Sequence, residues 1–413
     1  MPNYLAPGVF IEEVPAGTRP IEAVGTSTAG FIGVPPVADA HVNESVPINN
    51  WMEFTRKFTD DDSKSTPLSH AVYGFFLNGG RRCYIVNPGL DKPITGGARK
   101  RVGLDVLEQV DEVAIVAAPG LTDAASYDAV IGHCEKLKDR VAILDAPEDV
   151  PTIDLLTKVA TPASAAKGRR STVEKAGEEE KSNPPANKVA EGLRPRVSDG
   201  GYASTYFPWI LIRDPLPPNE LVSVPPSGFV AGIWARTDAT RGVHKAPANE
   251  IVRGGLDLSY HLTQEEQGVL NPAGVNVIRF FTGEGIRVWG ARTLAPSSGE
   301  FRYLNVRRLF AMVEESIAKS MRWVVFEPND MTLWKSIRRD VTAFLTRLWR
   351  DGALMGATPE QAFFVKCDEE TNPPDSIDAG IVITVIGMAP VKPAEFIVFR
   401  ISQQASGAEV EVI

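Results

Sequence analysis

Cysteine is scarce in this 413-residue sequence: Cys83, Cys134 and Cys367 lie far apart, odd in number and without a CxxC pair. A disulfide framework and a zinc ribbon are thereby excluded, and the three read as small buried apolar residues. Histidine is also sparse. His41, His70, His133, His244 and His261 are scattered, whereas a metal site needs three or four convergent ligands, so no metal is expected. The longest apolar run, 381–390, is far short of the roughly 20 residues that a membrane span requires. No basic stretch followed by an apolar one opens the chain, so no secretory signal is expected and the chain reads as made in the cytoplasm. Positive charge is not in excess either: 43 Lys+Arg against 52 Asp+Glu give −9, which argues against a general nucleic-acid or anionic-membrane binder.

Catalytic signatures are missing too. There is no GxxxxGK[ST], no GxGxxG after a strand, no HExxH and no GxSxG. The glycines of 283–290 miss the dinucleotide spacing, and Pro119-Gly120 is a single turn. Ser316 and Lys319 match SxxK, but inside a helix and without a KTG element. Asp60-Asp61-Asp62 reads as a solvated turn. No catalytic, cofactor-binding or metal residues are assigned. One alternative stays open on pattern: an α/β enzyme using the strand ends of 113–144.

With 35 Gly, 32 Pro and 43% hydrophobic residues the chain is ordinary globular material. Prolines at 7, 15 and 20 make 4–24 extended, with Val9, Ile11 and Val14 as a β-type patch. Strands are expected at 29–34, 82–86, 113–118, 141–144 and 209–212, with helices at 69–77 and 123–139, a β-α-β pattern that implies a parallel sheet. Large apolar residues nearly vanish over 161–201, which reads as a mobile surface insertion whose RR and EEE clusters are solvated. Beyond 225–228 a second unit begins. A long helix is expected over 301–321, with Val306, Phe310, Val313, Ile317 and Met321 on one face, then a buried strand at 323–326. A second helix, capped by Asn329 or Asp330, follows with a Trp334, Ile337, Val341, Leu345, Leu348 stripe. Strands close the chain at 362–366, 381–386 and 396–401.

Charge is unevenly spread. Residues 276–350 hold thirteen basic and seven acidic residues, a balance of +6, so the rest of the chain carries −15. Lys335, Arg338, Arg339, Arg347 and Arg350 fall opposite or at the border of the apolar stripe. That face is either solvated or a docking surface for an acidic partner. Both termini are short and β-rich, as frayed ends or as strands that add to another copy's sheet edge.

Several long motifs occur in a telling order: PPSGFVAGIWARTDATRGVHKAPANE (225–250), LNPAGVN (270–276), GARTL (290–294), YLNVRRLF (303–310), WVVFEPN (323–329), FLTRLWRDGALMG (344–356) and PAEFIVFRISQ (393–403). With YLAPGVFIEEV at 4–14, the chain resembles the contractile tail sheath family of phage tails, R-type bacteriocins and extracellular injection particles. The resemblance implies a structural subunit rather than an enzyme, without cofactor, stacking as hexameric rings around an inner tube; a non-contractile shell or baseplate protein is the structural alternative to it. It implies four parts: an N-terminal arm (1–25), an outer α/β domain (26–225), an inner mixed-sheet core with two long helices (226–402) and a C-terminal arm (403–413). Its implied partners are other copies, the inner tube protein, and baseplate and terminal cap proteins, with no nucleic acid and no membrane insertion. Val9, Phe10, Ile11, Val14, Val410, Val412 and Ile413 would join neighbouring subunits. Lys335, Arg338, Arg339, Arg347 and Arg350 would face the tube.

Overall fold

The computed structural model describes residues 20–96, 101–161 and 192–398. Short β-branched runs form β1 (Ala29–Ile32), β3 (Cys83–Val86), β4 (Ile115–Ala117), β5 (Val141–Asp145) and β6 (Ala203–Phe207), joined by β11 (Val275–Phe281) in parallel. Antiparallel strands complete both flanks: β2 (Ser45–Ile48) on one, the hairpin partner β12 (Gly285–Val288) and β9 (Glu250–Ile251) on the other. The resulting order is β2-β3-β1-β4-β5-β6-β11-β12-β9.

Side-chain alternation sorts these strands onto two faces, as the period of two requires. Phe31, Ile85, Ile115 and Ile143 point into one buried cluster, and Ile32, Val86, Val116 and Leu144 into the other. The first face is covered by α1 (Trp51–Phe58), α2 (Pro67–Leu77) and α5 (Ser227–Arg241), the second by α3 (Leu104–Leu107) and α4 (Ala124–Leu137). Helices α2 and α5 meet through glycine. A β-carbon on Gly228 would lie 2.2 Å from the Cα of Ala71, and one on Gly232 would lie 2.4 Å from the Phe75 carbonyl oxygen.

A smaller sheet holds β10 (Asp257–Leu258), β7 (Ile210–Arg213) and β8 (Leu221–Val224). The run expected at 209–212 is therefore a strand, but antiparallel in this sheet; the parallel layer continues through β6 instead. After α6 (Gln264–Leu270) and β12 the chain leaves the large sheet and builds a separate core. It consists of α7 (Leu304–Ser320), α8 (Met331–Arg350), the short helices α9 (Pro359–Ala362) and α10 (Pro374–Asp378), and the pair β13 (Phe363–Lys366) and β14 (Val385–Met388). Because one sheet runs from β1 to β12, it passes through residue 225, where two domains were expected to meet. Missed at that point was α5, whose helical stretch lacks a one-sided apolar stripe because it is buried on most sides.

Other expectations also shift. Residues 323–326 are no buried strand: Val324 and Val325 donate to the carbonyls of Met321 and Arg322 in a 3-10 turn, and Val325 and Phe326 are exposed. Over 381–384 the amides are taken locally, Ile381 donating to Ser376 and Ile383 to the Asn372 side chain, so β14 starts only at Val385. Residues 396–398 are exposed and unpaired among the described residues, and 399–401 lie outside them. Of the expected insertion, 162–191 lie outside the described residues, but 192–201 are packed. Arg194 exchanges backbone bonds with 158–160, and Arg196 binds Asp128 and, at 2.8 Å, Glu135. Ion pairing, backbone docking and the packed side chain of Leu193, set against the cluster around Leu156 and Phe207, hold this segment.

Candidate assembly surfaces

The seven arm residues proposed to reach other copies (Val9, Phe10, Ile11, Val14, Val410, Val412 and Ile413) lie outside the described residues. Their roots do not. On the N-terminal side Ile21 is buried in the core under α7, and the backbone of Val24 donates to Ser316 Oγ at 3.0 Å. Thr26 Oγ1 donates to Asp238 at 2.6 Å, and Arg308 donates to the Thr26 carbonyl at 3.0 Å. Arg308 and Asp238 form a bidentate pair at 2.9 and 2.5 Å with both side chains almost fully buried, and the guanidinium lies 4.7 Å from the Trp234 ring centre. On the C-terminal side, Asn305 Nδ2 donates to the Val391 carbonyl at 3.0 Å. Buried Arg292 holds Glu395 at 2.8 and 2.6 Å, and Asn271 Nδ2 adds a third bond to that carboxylate at 3.4 Å. Burial raises the Glu395 carboxyl, but the bonds to Arg292 and its charge outweigh that and hold it below the usual range.

Both roots thus run onto α7, the N-terminal one from Ser316 back to Arg308 and the C-terminal one at Asn305; the first ten residues of the helix are buried nearly all round, Arg307 and Arg308 included. The stripe expected from helical spacing covers only part of that surface. Arg292, Asp238, Asn305, Arg308 and Glu395 all stand in the recognised motifs, yet no periodicity marks them as partners. The only local signal was a charge set inside an apolar helix.

Helix α8 starts where Asp330 accepts from the Leu333 amide at 2.9 Å and stops ahead of Gly352, at φ +78°. Trp334, Ile337, Val341, Leu345 and Leu348 are all buried, each contributing about 1.5–3 kcal/mol. Lys335, Arg338, Arg339, Arg347 and Arg350 are all exposed on the other side. Arg339 Nε bonds buried Asp340 at 2.9 Å.

The β13–β14 pair has no third strand among the described residues, so both outer edges present free backbone groups. Phe364 and Val385 on it, and Phe396, Ile397 and Val398 after it, expose most or much of their apolar surface.

The crevice at the ends of the parallel strands, where an open sheet would bind a ligand, is filled by protein. Asp145 at the end of β5 accepts from Gly120 N at 3.1 Å, and from Ser227 N and Oγ at 2.7 and 2.8 Å, so the start of α5 plugs it. Burial pushes the Asp145 carboxyl up to about 6, against those three bonds. Ser316 and Lys319 do not face each other as a dyad: Ser316 Oγ donates to the Met312 carbonyl at 2.5 Å, and Lys319 pairs with Glu315 at 2.9 Å. His133 is buried, and desolvation with Arg140 nearby pulls it down to about 4. No helix among the described residues is long and apolar enough to cross a membrane.

Comparison with known proteins gives one consistent answer. Residues 103–294 match the model of the phage tail sheath protein central domain, and residues 297–404 that of the phage tail sheath C-terminal domain. The two models meet where the large sheet ends and the second core begins. The sheath of the PVC extracellular contractile injection system, in its contracted state, is 29% identical and covers 98% of this chain and 99% of its own, with a TM-score of 0.74. The contracted helical sheath of the anti-feeding prophage is 30% identical over 97% of this chain and 100% of its own, with a TM-score of 0.70. The tail sheath protein of Salmonella phage ViI is 26% identical over 67% of this chain and 41% of its own length. The chain spans less than half the length of that relative.

Proposed function

The chain belongs to the phage tail sheath family, and from that membership we propose that it is the repeating subunit of a contractile, tail-like injection particle. Copies stack as hexameric rings around an inner tube in a metastable extended state, then shorten to drive the tube through a target envelope. New contacts between copies in the shorter state supply the driving free energy, so no nucleotide, metal or catalytic group is needed and the subunit is not an enzyme. The observation that carries this reading is the likeness along nearly the whole chain to two contracted injection-system sheaths.

The arms connect the polymer. Val9 to Val14 and Val410 to Ile413 add to the free edges of β13 and β14 in neighbouring copies, exchanging main-chain hydrogen bonds in a contact that does not close on itself. The half-buried, bonded roots at Thr26 and Glu395 support this, because an arm can hold a neighbour only if its own end is fixed. The basic face of α8 docks on an acidic tube; baseplate and cap proteins end the stack. Subunits assemble in the cytoplasm and leave as part of a phage tail or extracellular particle.

Negative-stain microscopy of the purified chain tests this reading. Ringed or cogwheel tubes are expected, and discrete particles at every concentration would refute it.

A further inference from the structure

Phe326 stands out among the exposed residues. Its side chain is 101% exposed and its backbone sits at φ +71°, a left-handed conformation that a bulky residue adopts only against strain. The loop around it is nevertheless tightly held. Val324 and Val325 close the 3-10 turn on one side. On the other, Trp334 Nε1 donates to Asn329 Oδ1 at 2.8 Å, and Asn329 Nδ2 donates to the Ile381 carbonyl at 3.1 Å. A braced loop that spends strain to hold a large apolar ring in water is arranged for a contact made outside the chain. Val325 beside it is also exposed, and so is Met331 in the first turn of α8.

We propose that Phe326, with Val325, is the apolar anchor of the docking face whose charged part is α8, and that it seats in an apolar recess of the same acidic inner partner. The proposal rests on the tube-facing reading of α8. The occupant is argued from continuity and charge. Exposed Met331 precedes Lys335 and Arg338 at successive helical turns, and Phe326 stands five residues ahead of it, with exposed Glu327 and Asp330 between, so the apolar knob leads along the chain into the basic face. An aromatic anchor beside a ring of charges is also the usual composition of an energetic hot spot, with the charges steering approach and the ring setting the dissociation rate.

The experiment uses full-length chain and the tube protein of its own particle. Co-sedimentation is measured for the parent, Phe326→Ala, Phe326→Gly, and a charge-reversed Lys335/Arg338/Arg347/Arg350 variant, at low and high salt; tube-free sheath formation is scored beside it. Phe326→Gly relaxes the left-handed backbone, so any loss of docking in that variant does not come from a weakened fold. Expected for both Phe326 variants is docking weakened at least about tenfold at either salt, with tube-free sheaths intact. Charge reversal should lose docking mainly at low salt. Unchanged docking in both Phe326 variants overturns the proposal, and if charge reversal still weakens docking, the tube-facing reading of α8 survives it. Loss of tube-free sheaths instead overturns it by assigning the knob to a second copy.

Discussion

The large sheet and the C-terminal core cover their strands to different degrees. In the sheet, strand alternation buries both faces, α5 plugs the strand-end crevice through Ser227 and Asp145, and antiparallel strands flank the parallel ones. In the C-terminal core, two strands stand with both edges free among the described residues, and Phe326, Phe364, Phe396, Ile397 and Val398 face solvent. The parallel strands of the first region are covered on both faces within one chain, and only the short strands β2 and β9 stand at its edges. The second is left open within one chain, and in the function proposed above the arm roots are the joints through which other copies finish it.

Removing the joint on the N-terminal side should have the largest effect. Arg308→Ala strands the Asp238 carboxylate in a nearly dry site and releases Thr26, costing about 3–5 kcal/mol. Chemical denaturation measures that loss, and sheaths from this variant should be short. Next comes a change confined to the first region. Gly228→Ala forces a methyl against the Ala71 backbone and costs about 1–3 kcal/mol or more by denaturation, while any polymer that forms keeps its normal length. If both variants shorten sheaths equally, the two regions are not functionally distinct.

Smaller in stability but sharper in location is Glu395→Ala. It frees the strap of residues 392–398, beyond the backbone bonds of 389 and 391, at about 1–2 kcal/mol, read as faster hydrogen exchange there with the sheet unchanged. Acid should do the same. The Glu395 carboxyl is held below its usual value, so the native strap binds fewer protons than the released one; its stabilisation is full above about pH 4.5 and is lost as pH falls through the depressed value. Smallest in stability is charge reversal at Lys335, Arg338, Arg347 and Arg350, expected to change unfolding by no more than about 0.5 kcal/mol while weakening tube docking.

Much of this comparison was legible in the sequence. The alternation of β1, β3, β4 and β5, the α8 stripe and its Asp330 cap, and the basic face follow from period and propensity alone. The misses share one cause. Where a segment's partners are distant, local pattern says little: α5 is buried on most sides and shows no stripe, 192–201 pack although composition marked them as part of an insertion, and 323–326 looks β-rich but spends its amides on a turn. Arg308 with Asp238, and Arg292 with Glu395, are seventy and more residues apart, so only the recognised motifs, not spacing, drew attention to them.

The central claim, that neighbouring copies complete the β13–β14 pair, is tested most directly by hydrogen exchange at 363–366 and 385–388 in the free subunit, in assembled sheath, and in any assemblies formed after deletion of residues 1–14 or 408–413. Strong protection in the sheath, lost on the edge whose arm is deleted, is the expected result. Equal exchange in the free subunit and the intact sheath would contradict it.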